Sequence, residues 1–335
     1  MIIWICVAVL LLSFAMTGLL RRYALARSLI DVPNERSSHS IPTPRGGGVS
    51  IVVTFLLAVP ALASVGLASE SSAIAYLGAG VLVSILGFAD DHGHIAARWR
   101  LLGHFVAAGW ALFWLGGLAP LATPWGQIDL GWSGAGLALV YLVWVLNLYN
   151  FMDGIDGLAS AEAIFVCAGA CLIYGVTGHA ELIGYPLVMC TAVAGFLIWN
   201  FPPAKIFMGD AGSGFLGLII GALALQGAWS NSAFLWSWLI LLGVFVVDAT
   251  WTLLHRLLRG DKVYQAHRSH AYQFASRHYV SHRTVTMGVV VINVCWLLPI
   301  AAWAAVNPAY GIAGLALAYA PLCLLAYRFK AGSRE

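Results

Sequence analysis

Long apolar runs, each broken by a short polar segment, fill this chain from end to end. A run of about 20 apolar residues is what one helical membrane crossing needs. Runs of about that length lie at about 2–20, 47–66, 72–89, 101–119, 133–149, 158–177, 182–200, 213–230, 233–254, 284–305 and 309–327. The pattern predicts an all-α, polytopic integral membrane protein with about eleven transmembrane helices. It forms a single transmembrane domain over residues 1–335, and no polar stretch is long enough for a separate soluble domain. Met1–Leu20 has no basic segment ahead of its apolar run, and Arg21-Arg22 follows it. It reads as an uncleaved first span with its N-terminus outside.

Charge fixes the orientation. All 17 Lys and Arg residues fall in alternate connecting segments, 21–46, 90–100, 150–157, 201–212, 255–283 and 328–335, while the other connections hold Glu70, Asp129 and Glu181. By the positive-inside rule the basic segments are cytoplasmic, and an odd span count leaves the C-terminus inside. Charged residues make up only 9% of the chain and hydrophobic ones 61%, where a soluble domain carries about 25% charged. The net charge of +3 is explained by this bias and implies no nucleic-acid partner. The six cysteines form no CxxC pair and read as small buried hydrophobes. Apolar faces on every span leave a homodimer open.

The inner segments carry the chemistry. The stretch Asn147-Leu-Tyr-Asn-Phe-Met-Asp-Gly-Ile-Asp-Gly-Leu158 sets Asn147, Asn150 and Asp153 three residues apart, on one side of a helix end, with Asp156 beyond. Carboxylates beside hydrocarbon are costly and usually functional. Asp90-Asp91 closes the third span, with His92, His94, Arg98 and Arg100 after it. Adjacent carboxylates either share a proton or bind a cation, so this is a metal-linked pair or a solvated helix end. Thr43-Pro-Arg45-Gly-Gly-Gly48 opens the second span, either as an ordinary helix start or as glycine amides that receive an anion beside Arg45. Asp210, among Gly209, Gly212 and Gly214, is a metal ligand, a helix cap shared with Ser213, or both. Asp248, inside a span, faces a cavity or a partner; Glu162 does the same or steadies its helix start. The 255–283 segment centres on Tyr264-Gln-Ala-His-Arg-Ser-His-Ala-Tyr272. His267 and His270 lack the second ligand pair zinc wants, and basic groups for a diphosphate fit better. Carboxylates, Mg²⁺ and cationic groups on one membrane face are the parts of phosphoryl transfer. The arrangement suits one soluble phosphate-bearing substrate and one lipid substrate. A transporter would place its charges in mid-span, which few of these are.

Five motifs in order resemble the polyprenyl-phosphate N-acetylhexosamine-1-phosphate transferase family over nearly the whole chain: Pro42-Thr43 with Gly46-Gly47, Asp90-Asp91, Asn147 to Gly157, Phe207-Met-Gly-Asp210-x-Gly-Ser213, and the His267/His270 segment. The resemblance implies a bacterial inner-membrane enzyme that moves an N-acetyl amino-sugar 1-phosphate from its UDP derivative to undecaprenyl phosphate and releases UMP. It implies Mg²⁺, with Mn²⁺ as a substitute, held by Asp210 and Asn150. Asp90 and Asp91 would serve catalysis at the lipid phosphate, by direct attack of that phosphate or through a phospho-aspartate. Asp153, Asp156 and Asn147 would bind substrate, as would His267, Arg268, His270, Thr43 and Arg45. The peptidoglycan branch has three consecutive histidines where this chain reads His267-Arg-Ser269-His270, and its own pattern where this chain reads Ala96-Ala97-Arg98. The run from Val32 to His39 and the 262–270 stretch are more similar to the branch that starts O-antigen and related surface polysaccharides.

Overall fold

The structure, a computed structural model, describes residues 1–33, 41–93, 95–262 and 267–334. His94, most of the 32–39 run and Tyr264 to Ala266 of the histidine segment lie outside the described residues. Among the described residues the fold is helical. It runs from α1 (Ile2–Ala26) through α2 (Val49–Ser64), α3 (Glu70–Gly93), α4 (Ala97–Leu115), α5 (Gly131–Met152), α6 (Leu158–Val176) and α7 (Gly184–Asn200) to α8 (Asp210–Ser230). It continues with α9 (Ala233–Leu241), α10 (Gly243–Leu258), α11 (Ala271–Tyr279), α12 (His282–Ile292), α13 (Leu298–Val306) and α14 (Gly311–Arg328). Two small antiparallel hairpins join them, β1 (Ile30–Asp31) with β2 (Thr43–Pro44), and β3 (Leu121–Thr123) with β4 (Gly126–Ile128).

Among the described residues seven segments are long and apolar enough to cross a membrane: α1, α3, α5, α6, α8, α12 with α13, and α14. The segment expected as one span at 233–254 is instead the pair α9 and α10, bent by 72° at Leu242–Gly243. Helices α2 and α7 are apolar but shorter. Several polar boundaries also move. α3 runs on through Asp90 and Asp91 to Gly93, α8 begins at Asp210, and the 255–283 segment contains the amphipathic helix α11.

α8 is the axis of the bundle, buried over nearly its whole length. Small residues let its neighbours come to backbone contact, the usual device where apolar burial gives no preference between helix and lipid. A Cβ on Gly212 would lie 2.6 Å from the Gly48 Cα before α2, and one on Gly217 would lie 2.5 Å from the Val145 carbonyl oxygen of α5. A Cβ on Gly87 of α3 would lie 2.6 Å from both the Ala211 Cα and its nitrogen. The strand of chain at 44–48 also pairs with 207–208, through Phe207 N–H to Pro44 O (2.8 Å), Gly47 N–H to Phe207 O and Gly48 N–H to Met208 O (both 2.9 Å). The anion-receiving reading of the Gly46–Gly48 amides therefore fails for two of the three.

Glu162 does not serve its helix start. It is fully buried, and its Oε2 accepts a 2.6 Å bond from Asn293 Nδ2 across to the π-helical turn between α12 and α13. Asp248 has partners too. It accepts from the Ala271 and Tyr272 amides (both 2.9 Å) and so caps α11, and its Oδ1 lies 3.3 Å from His270 Nδ1.

Candidate active site

The ends of α3, α5 and α8 meet at the basic end of the bundle. Between them is a cavity of about 220 Å³. Its walls include Asp91, Asp153, Asp156 and Asp210 with Asn150 and Arg45. Sequence reasoning had these six as site residues, and the fold brings them together from four separate inner segments.

The carboxylates are held in different ways. Asp91 receives the first amides of α8, Asp210 N–H at 3.3 Å and Ala211 N–H at 3.4 Å. A carboxylate at a helix N-terminus is favoured by the unpaired amides and the helix dipole. The cap of α8 therefore comes from α3, not from Asp210 or Ser213. Arg45 donates to the Asp91 carbonyl oxygen and sets its other terminal nitrogen 4.0 Å from Asp91 Oδ1. Asp210 is left with its carboxylate free of capping duty, one oxygen 3.5 Å from Arg100 Nη1. Asn150 Nδ2 donates to Ser213 Oγ at 3.3 Å, tying α5 to the first turn of α8. Asp156 Oδ2 accepts from Ala204 N–H at 2.9 Å, and His282 Nδ1 lies 3.1 Å from its Oδ1. Thr286 donates to the Asp156 carbonyl at 2.9 Å. Asp156 thus locks its loop to α12 as well as facing the cavity.

Asp153 lies past the end of α5. Burial first, then the negative charges of Asp210, Asp91 and Asp156, push its carboxyl well above the usual carboxylate range. A site that raises a carboxyl in this way favours any cation that enters it. Among the described residues no group of three His, Cys, Asp or Glu side chains is placed to hold a metal ion by itself. The oxygen donors Asp91, Asp153, Asp210 and Asn150 fit a hard cation that takes one or two carboxylates and completes its shell with substrate phosphate and water.

The other expected site residues stand apart from this cavity. Buried Asp90 does not line the cavity but lies behind Asp210, its carboxyl in contact with that residue's, while Arg100 donates to one oxygen and Ile95 N–H to the other at 2.7 Å. Asn147 donates to the Val143 carbonyl at 2.7 Å and lies 3.3 Å from His104 Nδ1. Thr43 is buried, its hydroxyl donating to Ile41 O at 2.9 Å. His267 and His270 stack at 5.0 Å between ring centres beside α11, and the Arg268 carbonyl receives Arg277 at 3.3 Å. None of the three lines the cavity. Burial, then the neighbouring His270 and Arg256, lower the His267 pKa to about 3. The unfolded chain then binds a proton near pH 6.5 that the folded chain refuses. This contribution to stability is whole above pH 6.5 and is lost as pH falls toward 3. A thermal midpoint that drops between pH 7 and pH 5, with a smaller drop in His267→Gln, is the expected result.

Sequence reasoning gave no role to Asp31, Asn200, Gln273 or His282, all of which line the cavity. Asn200 joins three segments, accepting from Gly157 N–H (3.1 Å) and the Ser160 hydroxyl (3.2 Å) and donating to Ile206 O (3.1 Å). The first two of these contacts reach back 43 and 40 residues along the chain, and no local spacing signals them. Arg100 was visible as a basic residue after the aspartate pair; that it bridges Asp90 and Asp210 was not.

Residues 73–228 match the family model described as glycosyl transferase family 4. The probable undecaprenyl-phosphate N-acetylglucosaminyl 1-phosphate transferase of Bacillus subtilis is 30% identical over 292 residues, covering 84% of this chain and 78% of that protein. The decaprenyl-phosphate N-acetylglucosaminephosphotransferase of Mycolicibacterium smegmatis is 29% identical over 73% of this chain and 67% of its own length. A phospho-N-acetylmuramoyl-pentapeptide-transferase of Moorella thermoacetica is 33% identical over a shorter stretch, 55% of this chain and 61% of its own.

Proposed function

The chain belongs to glycosyl transferase family 4, among the polyprenyl-phosphate N-acetylhexosamine-1-phosphate transferases, and on that premise we propose that it transfers an N-acetyl amino-sugar 1-phosphate from UDP to undecaprenyl phosphate. The reading has it start O-antigen or a related surface polysaccharide at the cytoplasmic face of the bacterial inner membrane. It takes α2, α4, α7 and the bent pair α9–α10 as crossings beside the seven long segments, eleven in all, with the N-terminus outside. The observation that carries it is the cavity where five aspartates, Asn150 and Arg45 meet at the basic end of an apolar bundle. A diphosphate needs that mixture of cation site and fixed positive charge, and a lipid acceptor needs the apolar flank.

In this reading a phosphate oxygen of the lipid attacks the phosphorus next to the sugar. The bond from that phosphorus to the UMP oxygen breaks, and UMP leaves with the electron pair. Asp210 with Asn150, beside Asp91 and Asp153, would hold Mg²⁺, which would supply charge neutralisation on the diphosphate. Arg45 and Arg100 hold the carboxylates and offer positive charge to the phosphates. Both oxygens of Asp90 are held, by Arg100 and by the Ile95 amide, which fixes that carboxylate in place. The departures at Ser269 and at Ala96-Ala97-Arg98 weigh against a muramoyl-pentapeptide donor. Purified protein with Mg²⁺, undecaprenyl phosphate and a panel of UDP-N-acetyl amino sugars is expected to release UMP with at least one of them, and with none when a chelator is present. Release of UMP from no UDP-sugar, or release undiminished by chelator, would count against this reading.

A further inference from the structure

Gln273, the third residue of α11, is 6% exposed and lines the cavity. Its Oε1 accepts the His270 amide hydrogen at 3.2 Å. That bond decides which way the side-chain amide faces, because only the oxygen can accept. The two hydrogens on Nε2 therefore point away from His270. They point toward Gly154, where a Cβ would sit 3.4 Å from Nε2. Gly154 lines the same cavity, and a Cβ there would collide with the Tyr272 hydroxyl, so only glycine fits beside α11. Among the described residues no acceptor meets these hydrogens. The placement is firm: Tyr272 Oη donates to Phe151 O at 2.9 Å, and the Asp248 bonds to the α11 amides fix the start of the helix. With its oxygen committed to His270, the Nε2 end is a fixed donor on the cavity wall, ready for an acceptor that enters.

The chemistry of what completes it follows from the neighbours. Gly154 lies between Asp153 and Asp156, and a phosphate there would meet two carboxylates. An uncharged oxygen is spared that charge repulsion. We propose that Gln273 is a recognition residue for the nucleotide-sugar donor, its Nε2 hydrogens bonding a carbonyl or hydroxyl oxygen of the base or the sugar while its Oε1 stays on His270. The proposal rests on the donor reading above. It makes α11 a bridge. The helix that Asp248 caps carries the residue that reads the donor, so the histidine segment acts on the cavity through Gln273 without entering it.

The test compares wild type with Gln273→Glu and Gln273→Met, using UDP-N-acetylglucosamine as donor, or whichever UDP-sugar of the panel turns over. Glutamate keeps an oxygen for His270 N–H but cannot donate when ionised. Methionine loses both, so its thermal midpoint reports what the cap contributes. The expected result for Gln273→Glu is a donor KM raised about tenfold or more, as for a site built to bond a polar group that has lost it. The lipid KM and the thermal midpoint stay near wild type. UMP inhibition measured against the donor separates the two sources of the oxygen. If the UMP inhibition constant rises with KM, the contact is to the nucleoside; if KM rises alone, it is to the sugar. A folded Gln273→Glu protein with wild-type donor KM overturns the proposal, and so does one that loses kcat with KM unchanged. Wild-type protein that neither binds nor turns over any UDP-sugar overturns the donor reading itself, and this proposal with it.

Discussion

Asp210→Asn will lower UMP release by about a hundredfold or more while leaving the protein folded, a loss of the size seen when one preorganised charge-stabilising group is removed. The two halves of this expectation come from different contacts. Asp210 is the first residue of α8, the position where an acid often serves the helix. Here the first two amides of α8 go to Asp91, so the helix keeps its cap when Asp210 changes. What is lost is a negative charge facing the cavity, near Asp153 and within 3.5 Å of Arg100. Asp91→Ala is the informative contrast. Its carboxylate both faces the cavity and holds α8, so that variant is expected to lose activity and also about 0.5–2 kcal/mol of stability, the usual size for a lost cap. Turnover and thermal midpoint, measured on both, separate the roles. Full turnover in Asp210→Asn would remove that residue from the site.

Gly87→Val will inactivate the protein although residue 87 touches no substrate. A Cβ there would stand 2.6 Å from the Ala211 backbone and 2.7 Å from the Asp210 carbonyl carbon, contacts that no side-chain rotation relieves. The α3 and α8 backbones must separate, by overpacking that typically costs about 1–3 kcal/mol. The separation falls one turn from Asp90 and Asp91 and directly on Asp210. Residues that form the site from two helices then move apart together. Near-complete loss of UMP release with a lowered thermal midpoint is expected, and Gly87→Ala is expected to fall between this variant and wild type. Wild-type behaviour of Gly87→Val would show that the two helices do not need this contact.

Much of this was legible in the sequence because it rests on local pattern. Apolar run lengths marked the helices, and charge segregation grouped the segments that do meet. Six of the expected residues, Arg45, Asp91, Asn150, Asp153, Asp156 and Asp210, line one cavity. What escaped depends on contacts between distant segments. The pairing of 44–48 with 207–208 uses glycine amides that looked ready for an anion. Glu162 has its partner on α12's far end, and Asp248 has its partners on α11, both more than 20 residues away. The adjacent aspartates looked alike, yet a helix turns about 100° per residue. Asp90 therefore faces Arg100 and Asp91 faces α8. The 72° break hides inside an unbroken apolar run, since hydropathy carries no direction.

That break bears on bilayer thickness. α9 has nine residues and α10 sixteen, about 14 Å and 24 Å of helix. With α9 upright and α10 leaving it at 72°, the pair rises only about 21 Å, against a hydrocarbon layer of about 30 Å. Leu254, Leu257 and Leu258 stay exposed along the outer part of α10, the last of them 87% exposed. In that orientation α10 would call for lipid that dips to meet it, and hydrophobic mismatch of this sort thins the bilayer locally. A lipid phosphate arriving along this flank would then lie deeper than its neighbours, already near the level of the aspartates.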